Sequence, residues 1–185
     1  MSATIGSDLE ELRAMIAPPR GVVARTDWGD VQAALGIELP TDYRCLVDEF
    51  GGGHIDEYLY LSEPQRRNPY YELCEAGSDR VEALEHFWDR GEERPEELAG
   101  TGARVYPWAI TDNGEALYWL MEPGTPADDW IVTVNEARGP RRDRFDVGCL
   151  GFLTGVLSGR ITSETLSSLF PAHPNSFERI PALEQ

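Results

Sequence analysis

Lysine is missing altogether: all 16 basic residues of the chain are arginine. That absence removes Schiff-base catalysis, the phosphate-loop lysine and the kinase lysine together. Cysteine is almost as scarce. Cys45, Cys74 and Cys149 are odd in number and scattered without a CxxC pair, so neither a disulfide framework nor a zinc knuckle is supported, and they are expected as small buried hydrophobes. No uncharged apolar run approaches the ~18 residues a membrane span requires. The first residues carry Asp8, Glu10 and Glu11 where a secretory leader has basic residues and then an apolar stretch, so a cytoplasmic location is expected.

Positive charge is short as well. Thirty-three acids against 16 bases leave a net charge of -17, which makes free nucleic acid and anionic membrane poor partners and a basic protein a plausible one. What the chain does have is 185 residues, 41% of them hydrophobic and 10% aromatic, enough for one core in one ordinary domain.

Apolar spacing orders the elements. Ser7 is a candidate cap for a helix carrying Leu9, Leu12, Met15 and Ile16, which Pro18-Pro19 ends. Thr26 is expected to cap a second helix through Trp28, Val31 and Leu35, closing at Gly36. Thr41 is expected to cap a third, with Tyr43, Leu46, Val47 and Phe50 on one face. The triplet Gly51-Gly52-Gly53 then follows a helix, whereas a phosphate cradle leads into one; Asp48, Glu49, Asp56 and Glu57 around it would repel an anion. The glycines are therefore read as a helix C-cap, and His54 to Leu61 as one strand.

After a polar loop at 62–69, a helix is expected over 70–90, with Leu73, Val81, Leu84 and Trp88 inward. Its other side is acidic: residues 72–97 hold ten acids against three arginines, a local charge of -7. From Ala103 the apolar period changes to two. Asn113-Gly114 between alternating runs marks a type I′ hairpin; a strand follows at 130–136 and a short one around Phe145. Val147 to Leu157 is apolar on nearly every side and is expected as a buried helix whose Gly151 and Gly155 let it lie close against the sheet. Helices and strands segregate instead of alternating, which argues for a single α+β domain over 1–185 with a largely antiparallel sheet, N-terminal helices and a buried C-terminal helix packed on it. Its core is expected at about 25–160, with an extra helix within 1–20 and a loosely packed tail over 171–185.

Leu39-Pro40-Thr41-Asp42-Tyr43 opening a helix, Phe50-Gly51-Gly52-Gly53 closing it, Ile110-Thr111-Asp112-Asn113-Gly114 in a hairpin and Tyr118-Trp119 on the return strand together resemble the SUKH superfamily. That group includes the yeast Knr-type cell-wall regulators and many bacterial immunity proteins. Val132 with Val134, and Gly151-Phe152-Leu153, fit the rest of the pattern. The resemblance implies an α+β fold and, in bacteria, an antidote that binds and neutralises a toxin, often a nuclease or a nucleic-acid deaminase. It supplies no catalytic residues.

Residue patterns for chemistry are weak beside it. Glu82, His86 and Asp89 share a helix face and could offer metal ligands, but no second cluster completes a shell, and a solvated acidic face explains the same residues. With 33 carboxylates, pairs in sequence are inevitable and select no general acid or base. No nucleophile-elbow or thiol-protease pattern is present. Arg138, Arg141, Arg142 and Arg144 form the one basic cluster; Glu136, Asp143 and Asp146 interleave it, so an exposed loop paired to local acids is expected. Neither a cofactor nor catalysis is expected, and the oligomeric state is left open. The expected partner is a cognate protein toxin with a basic surface, met by Glu82, Glu85, Asp89, Glu92, Glu93, Glu96 and Glu97, joined by Asp56 and Glu57. The rival expectation is a non-enzymatic scaffold or regulatory module; a carboxylate hydrolase is a third.

Overall fold

The structure, a computed structural model, describes residues 2–19, 23, 25–65 and 68–180. Among these residues five α-helices and seven strands form one α+β domain. The helices are α1 (Ser2–Met15), α2 (Trp28–Leu35), α3 (Thr41–Phe50), α4 (Leu73–Asp89) and α5 (Cys149–Leu157). The strands are β1 (Gly53–Ile55), β2 (Leu59–Leu61), β3 (Arg104–Thr111), β4 (Ala116–Met121), β5 (Ile131–Asn135), β6 (Arg142–Phe145) and β7 (Phe177–Arg179). They make one antiparallel sheet in the order β6-β5-β4-β3-β2-β1-β7.

The caps differ from expectation in an instructive way. Ser7 lies inside α1, its hydroxyl bonded back to the Thr4 carbonyl at 2.9 Å. Asp27, not Thr26, caps α2 by accepting the N–H groups of Gly29 and Asp30. Thr41 does not cap α3; Asp128, from a 3-10 turn at Ala127–Asp129, accepts its N–H at 2.6 Å and its hydroxyl at 3.1 Å. A carboxylate 87 residues away satisfies the first orphan donor of the helix, which local spacing does not reveal.

Residues 54–61, expected as one strand, are the tight hairpin β1–β2. Its turn residues Asp56 and Glu57 both have positive φ, 54° and 55°, the geometry a type I′ turn demands and glycine or asparagine usually supplies. The strain at Asp56 is offset by its carboxylate, which accepts the N–H groups of Ala172 and Ser176 at 2.9 and 2.6 Å. Those donors belong to the segment expected as a loose tail. Instead, residues 177–179 add β7 to the edge of β1, Phe177 meets the Phe50 ring edge-on at 5.4 Å, and Arg179 pairs with buried Glu63 at 3.6 Å. The glycine triplet admits that strand. Gly51 ends α3 with its N–H on the Val47 carbonyl, but at φ 67° and ψ -174° it lies outside the left-handed helical region expected of a cap, in a conformation glycine alone adopts readily, while a Cβ on Gly53 would collide with the Glu178 carbonyl and the Phe177 ring.

The sheet is apolar on both faces, and β4 shows it residue by residue. Leu117, Trp119 and Met121 enter the main core, which takes Leu12 from α1 and Ile16 just after it, Val31 from α2, Tyr43 and Phe50 from α3 and Leu153 from α5. The alternate residues Ala116, Tyr118 and Leu120 enter a smaller cluster on the opposite face, covered by Leu84 and Trp88 of α4 and by Leu98. In α5 it is Phe152 that meets the sheet, 6.4 Å from the Trp108 ring and 5.0 Å from that of Phe145. Gly155 turns away, against Ile161, and Gly151 faces Asp8 of α1, so the two glycines admit neighbours on the side away from the sheet.

Candidate functional site: the outer face of α4

α4 starts where a buried carboxylate organises the chain. Glu72 caps the helix by accepting the Glu75 N–H at 2.6 Å and also takes the Gln65 N–H at 2.9 Å. The Tyr106 hydroxyl bonds to the Leu73 carbonyl at 2.9 Å, and Gly77 lies so close to that ring that a Cβ there would be 2.6 Å from the hydroxyl oxygen. Burial pushes the Tyr106 phenol up to about 12, so it remains a neutral donor. The first turn is pinned, Leu84 and Trp88 pack beneath, and the rest of the helix faces water.

The outer face carries most of the acids that the sequence singled out. Glu82, Glu85 and Asp89 are exposed on α4, and Glu92, Glu93 and Glu96 are exposed on the segment after it. Two of the expected contacts hold structural pairs. Glu85 bonds Arg94, whose guanidinium lies 4.5 Å from the Trp88 ring centroid and folds the segment back over the helix. Glu97 is half-buried and bonds Arg142 at 3.0 Å; burial raises its carboxyl, but its own backbone N–H and Arg142 more than offset that and hold it below its usual value. Among the described residues, Glu82, Asp89, Glu92, Glu93 and Glu96 make no ion pair. Asp56 and Glu57 belong to a different element, the β1–β2 turn. Asp56 is engaged by the C-terminal segment, which leaves Glu57 exposed there.

The basic cluster divides: Arg138 and Arg141 are exposed in the loop before β6 and make no ion pair among the described residues, whereas the other two arginines are paired from a strand. Arg142 and Arg144 lie in edge strand β6. Arg142, with only 8% of its side chain exposed, reaches Glu97 and the Asn135 side-chain oxygen, while Arg144 lies between Asp146 at 3.3 Å and Glu122 at 3.9 Å. The acidic segment thus supplies the counter-charge of an arginine that is almost fully buried.

Glu82, His86 and Asp89 do line one shallow groove, with Asp79, Ala83 and Phe87. Among the described residues no group of three or more His, Cys, Asp or Glu side chains is placed to hold a metal, and no helix is long and apolar enough to cross a membrane. The thiols are not activated: burial pushes all three upward, Cys74 to about 12 with Glu72 adding to the effect. Phe87 was not singled out by sequence, although its ring is 50% exposed. The signal was its offset, since inward Leu84 and Trp88 leave position 87 on the flank of the helix.

The SMI1-KNR4 cell-wall family matches residues 25–146, which take in α2 to β6 and the whole of the acidic face. No curated protein and no solved structure matches the chain. α1, α5 and β7 fall outside the matched span, and the match covers more than half of the sequence. The chain belongs to the SMI1-KNR4 cell-wall family of the SUKH superfamily.

Proposed function

We propose that this chain is a non-enzymatic, cytoplasmic immunity protein that binds a cognate toxin, a nuclease or nucleic-acid deaminase, and neutralises it by covering its basic cleft. The family is consistent with toxin immunity and related roles. The observation that carries the reading is the run of exposed carboxylates without ion-pair partners among the described residues, Glu82, Asp89, Glu92, Glu93 and Glu96, held on a helix pinned at its start and on a segment tied back by Arg94 and Arg142. A toxin that acts on DNA or RNA must present cations to phosphate. A fixed negative surface is drawn to that cleft and blocks it without chemistry of its own.

Co-expression with the toxin encoded beside it tests the role: protected cells are expected, and toxin activity persisting at saturating antidote refutes it. Charge reversal at Glu92, Glu93 and Glu96, leaving Glu97 to hold Arg142, should slow association about 10-fold or more at low salt and flatten its salt dependence. Unchanged rates would remove this face from the account. Binding to several cellular proteins with no neighbouring toxin gene would favour the scaffold reading.

A further inference from the structure

The solvent side of α4 is not uniformly acidic. Glu75, Asp79, Glu82, His86 and Asp89 follow one another in steps of four and three residues, which keeps them on one line along the helix. Ala76, Arg80, Ala83 and Phe87 form the neighbouring line with the same steps. Arg80 keeps its charge but not toward the groove, which it does not line: its guanidinium is tied back to the carbonyls of Ala76 and Tyr70 at 3.0 and 2.9 Å. What projects is a small residue, Ala83, next to a half-exposed ring, Phe87, with carboxylates alongside; together they line the groove. A ring left half in water on an otherwise charged helix is the arrangement of an apolar anchor inside a polar rim.

We propose that this groove seats an amphipathic helix of a basic partner, its apolar stripe on Ala83 and Phe87 and its flanking Lys or Arg on Asp79, Glu82 and Asp89. Helix-in-groove docking lays the apolar stripe of one helix on an apolar floor, and Ala83 and Phe87, four residues apart and rimmed by carboxylates, supply that floor. Charge decides the occupant. A second copy would set the same carboxylates against each other on a body of net charge -17, and a nucleic acid or anionic membrane would be repelled in the same way. The inference rests on reading the acidic face of α4 as the partner surface, and it adds which element of the partner is gripped and by what.

The test uses the full chain and two synthetic peptides about four helical turns long: one with Leu at helical spacing flanked by Lys, the other of identical composition with the spacing scrambled. At about 0.15 M salt, where exposed long-range charge is largely screened, the patterned peptide should bind at least about 10-fold more tightly than the scramble. Phe87→Ala should weaken that binding by about 30-fold, and Phe87→Leu by less than about 5-fold. Equal binding of the two peptides, or an unchanged affinity in Phe87→Ala with native circular dichroism, overturns the groove. The two proposals fail separately. If Phe87→Ala protects cells fully while reversal of Glu92, Glu93 and Glu96 abolishes protection, the groove is refuted and the immunity reading stands. If the wild-type chain gives no protection, that reading falls and the peptides still decide the groove.

Discussion

α5 and α4 are both helices packed on the sheet, and they treat water in opposite ways. Eight of the nine residues of α5 are buried and none is charged, whereas only Leu73 and Gly77 are buried among the seventeen of α4. A helix that is apolar all round must be enclosed, so α1, α3 and the sheet surround α5. A helix that rests on two or three inward side chains keeps the remainder for something else. Stability is concentrated at α5 and surface chemistry at α4, which makes the two helices separable by mutation.

The largest effect expected from that separation is at Phe152. Truncation to Ala empties the contact with Trp108 and Phe145 and should cost about 3–5 kcal/mol of stability, the range for a buried aromatic. Phe87→Ala on α4 should change stability by less than about 0.5 kcal/mol. Denaturant melts of the two variants check this, and comparable losses would mean that α4 is structural throughout.

A second contrast lies in pH. Asp42 sits at the start of α5, accepting the N–H groups of Leu150 at 3.1 Å and of Tyr43 at 2.7 Å, and burial raises its carboxyl above the ordinary 3.8 despite those bonds. A raised folded value means a contribution that is full below the unfolded value and lost as pH rises through the folded one. Glu97, anchored to Arg142, is held below its ordinary 4.5, so its contribution is present above the unfolded value and lost as pH falls through the folded one. Melts between about pH 3 and 7 should therefore show wild type losing ground to Asp42→Asn as pH rises and gaining on Glu97→Gln. Slopes of the same sign for the two variants would contradict the pairing described for one of them.

What could be read in advance follows the range of the interactions. The hairpin at Asn113-Gly114, the buried helix near Leu153 and the acidic run at 72–97 are written in neighbouring residues, and the structure has all three, although the hairpin turn is not the expected type I′: Gly114 has φ 93° and donates to the Thr111 carbonyl at 3.1 Å, whereas Asn113 does not take a positive φ. The meaning of the glycine triplet was half legible. Its C-cap role is local, but the reason Gly53 has no side chain is β7, more than 120 residues later. Nothing near Asp56 and Glu57 signals a turn, because the segment that secures Asp56 is also remote. In the acidic region the sequence gives the count of carboxylates but not their partners. Glu97 differs from Glu96 only in that Arg142, 45 residues away, points at it, and Phe87 differs from Trp88 only by one step around the helix.

The smallest effect is the most specific to α4. Asp89 is the last residue of the helix, at the end where unpaired carbonyls carry partial negative charge, and His86 is the only basic side chain in that turn. A carboxylate there opposes the helix dipole and adds to the repulsion of a chain at -17. Asp89→Asn removes the charge at nearly constant shape, so it should stabilise the protein by about 0.3–1 kcal/mol at low ionic strength and by less as salt screens both terms. The same substitution should weaken the patterned basic peptide, because it deletes one member of the carboxylate line. A gain in stability coupled to a loss in binding identifies a residue kept for its surface at the expense of the helix that carries it. A loss in stability instead would show that Asp89 has a favourable role within the fold, and the contrast between the two helices would no longer hold at that end of α4.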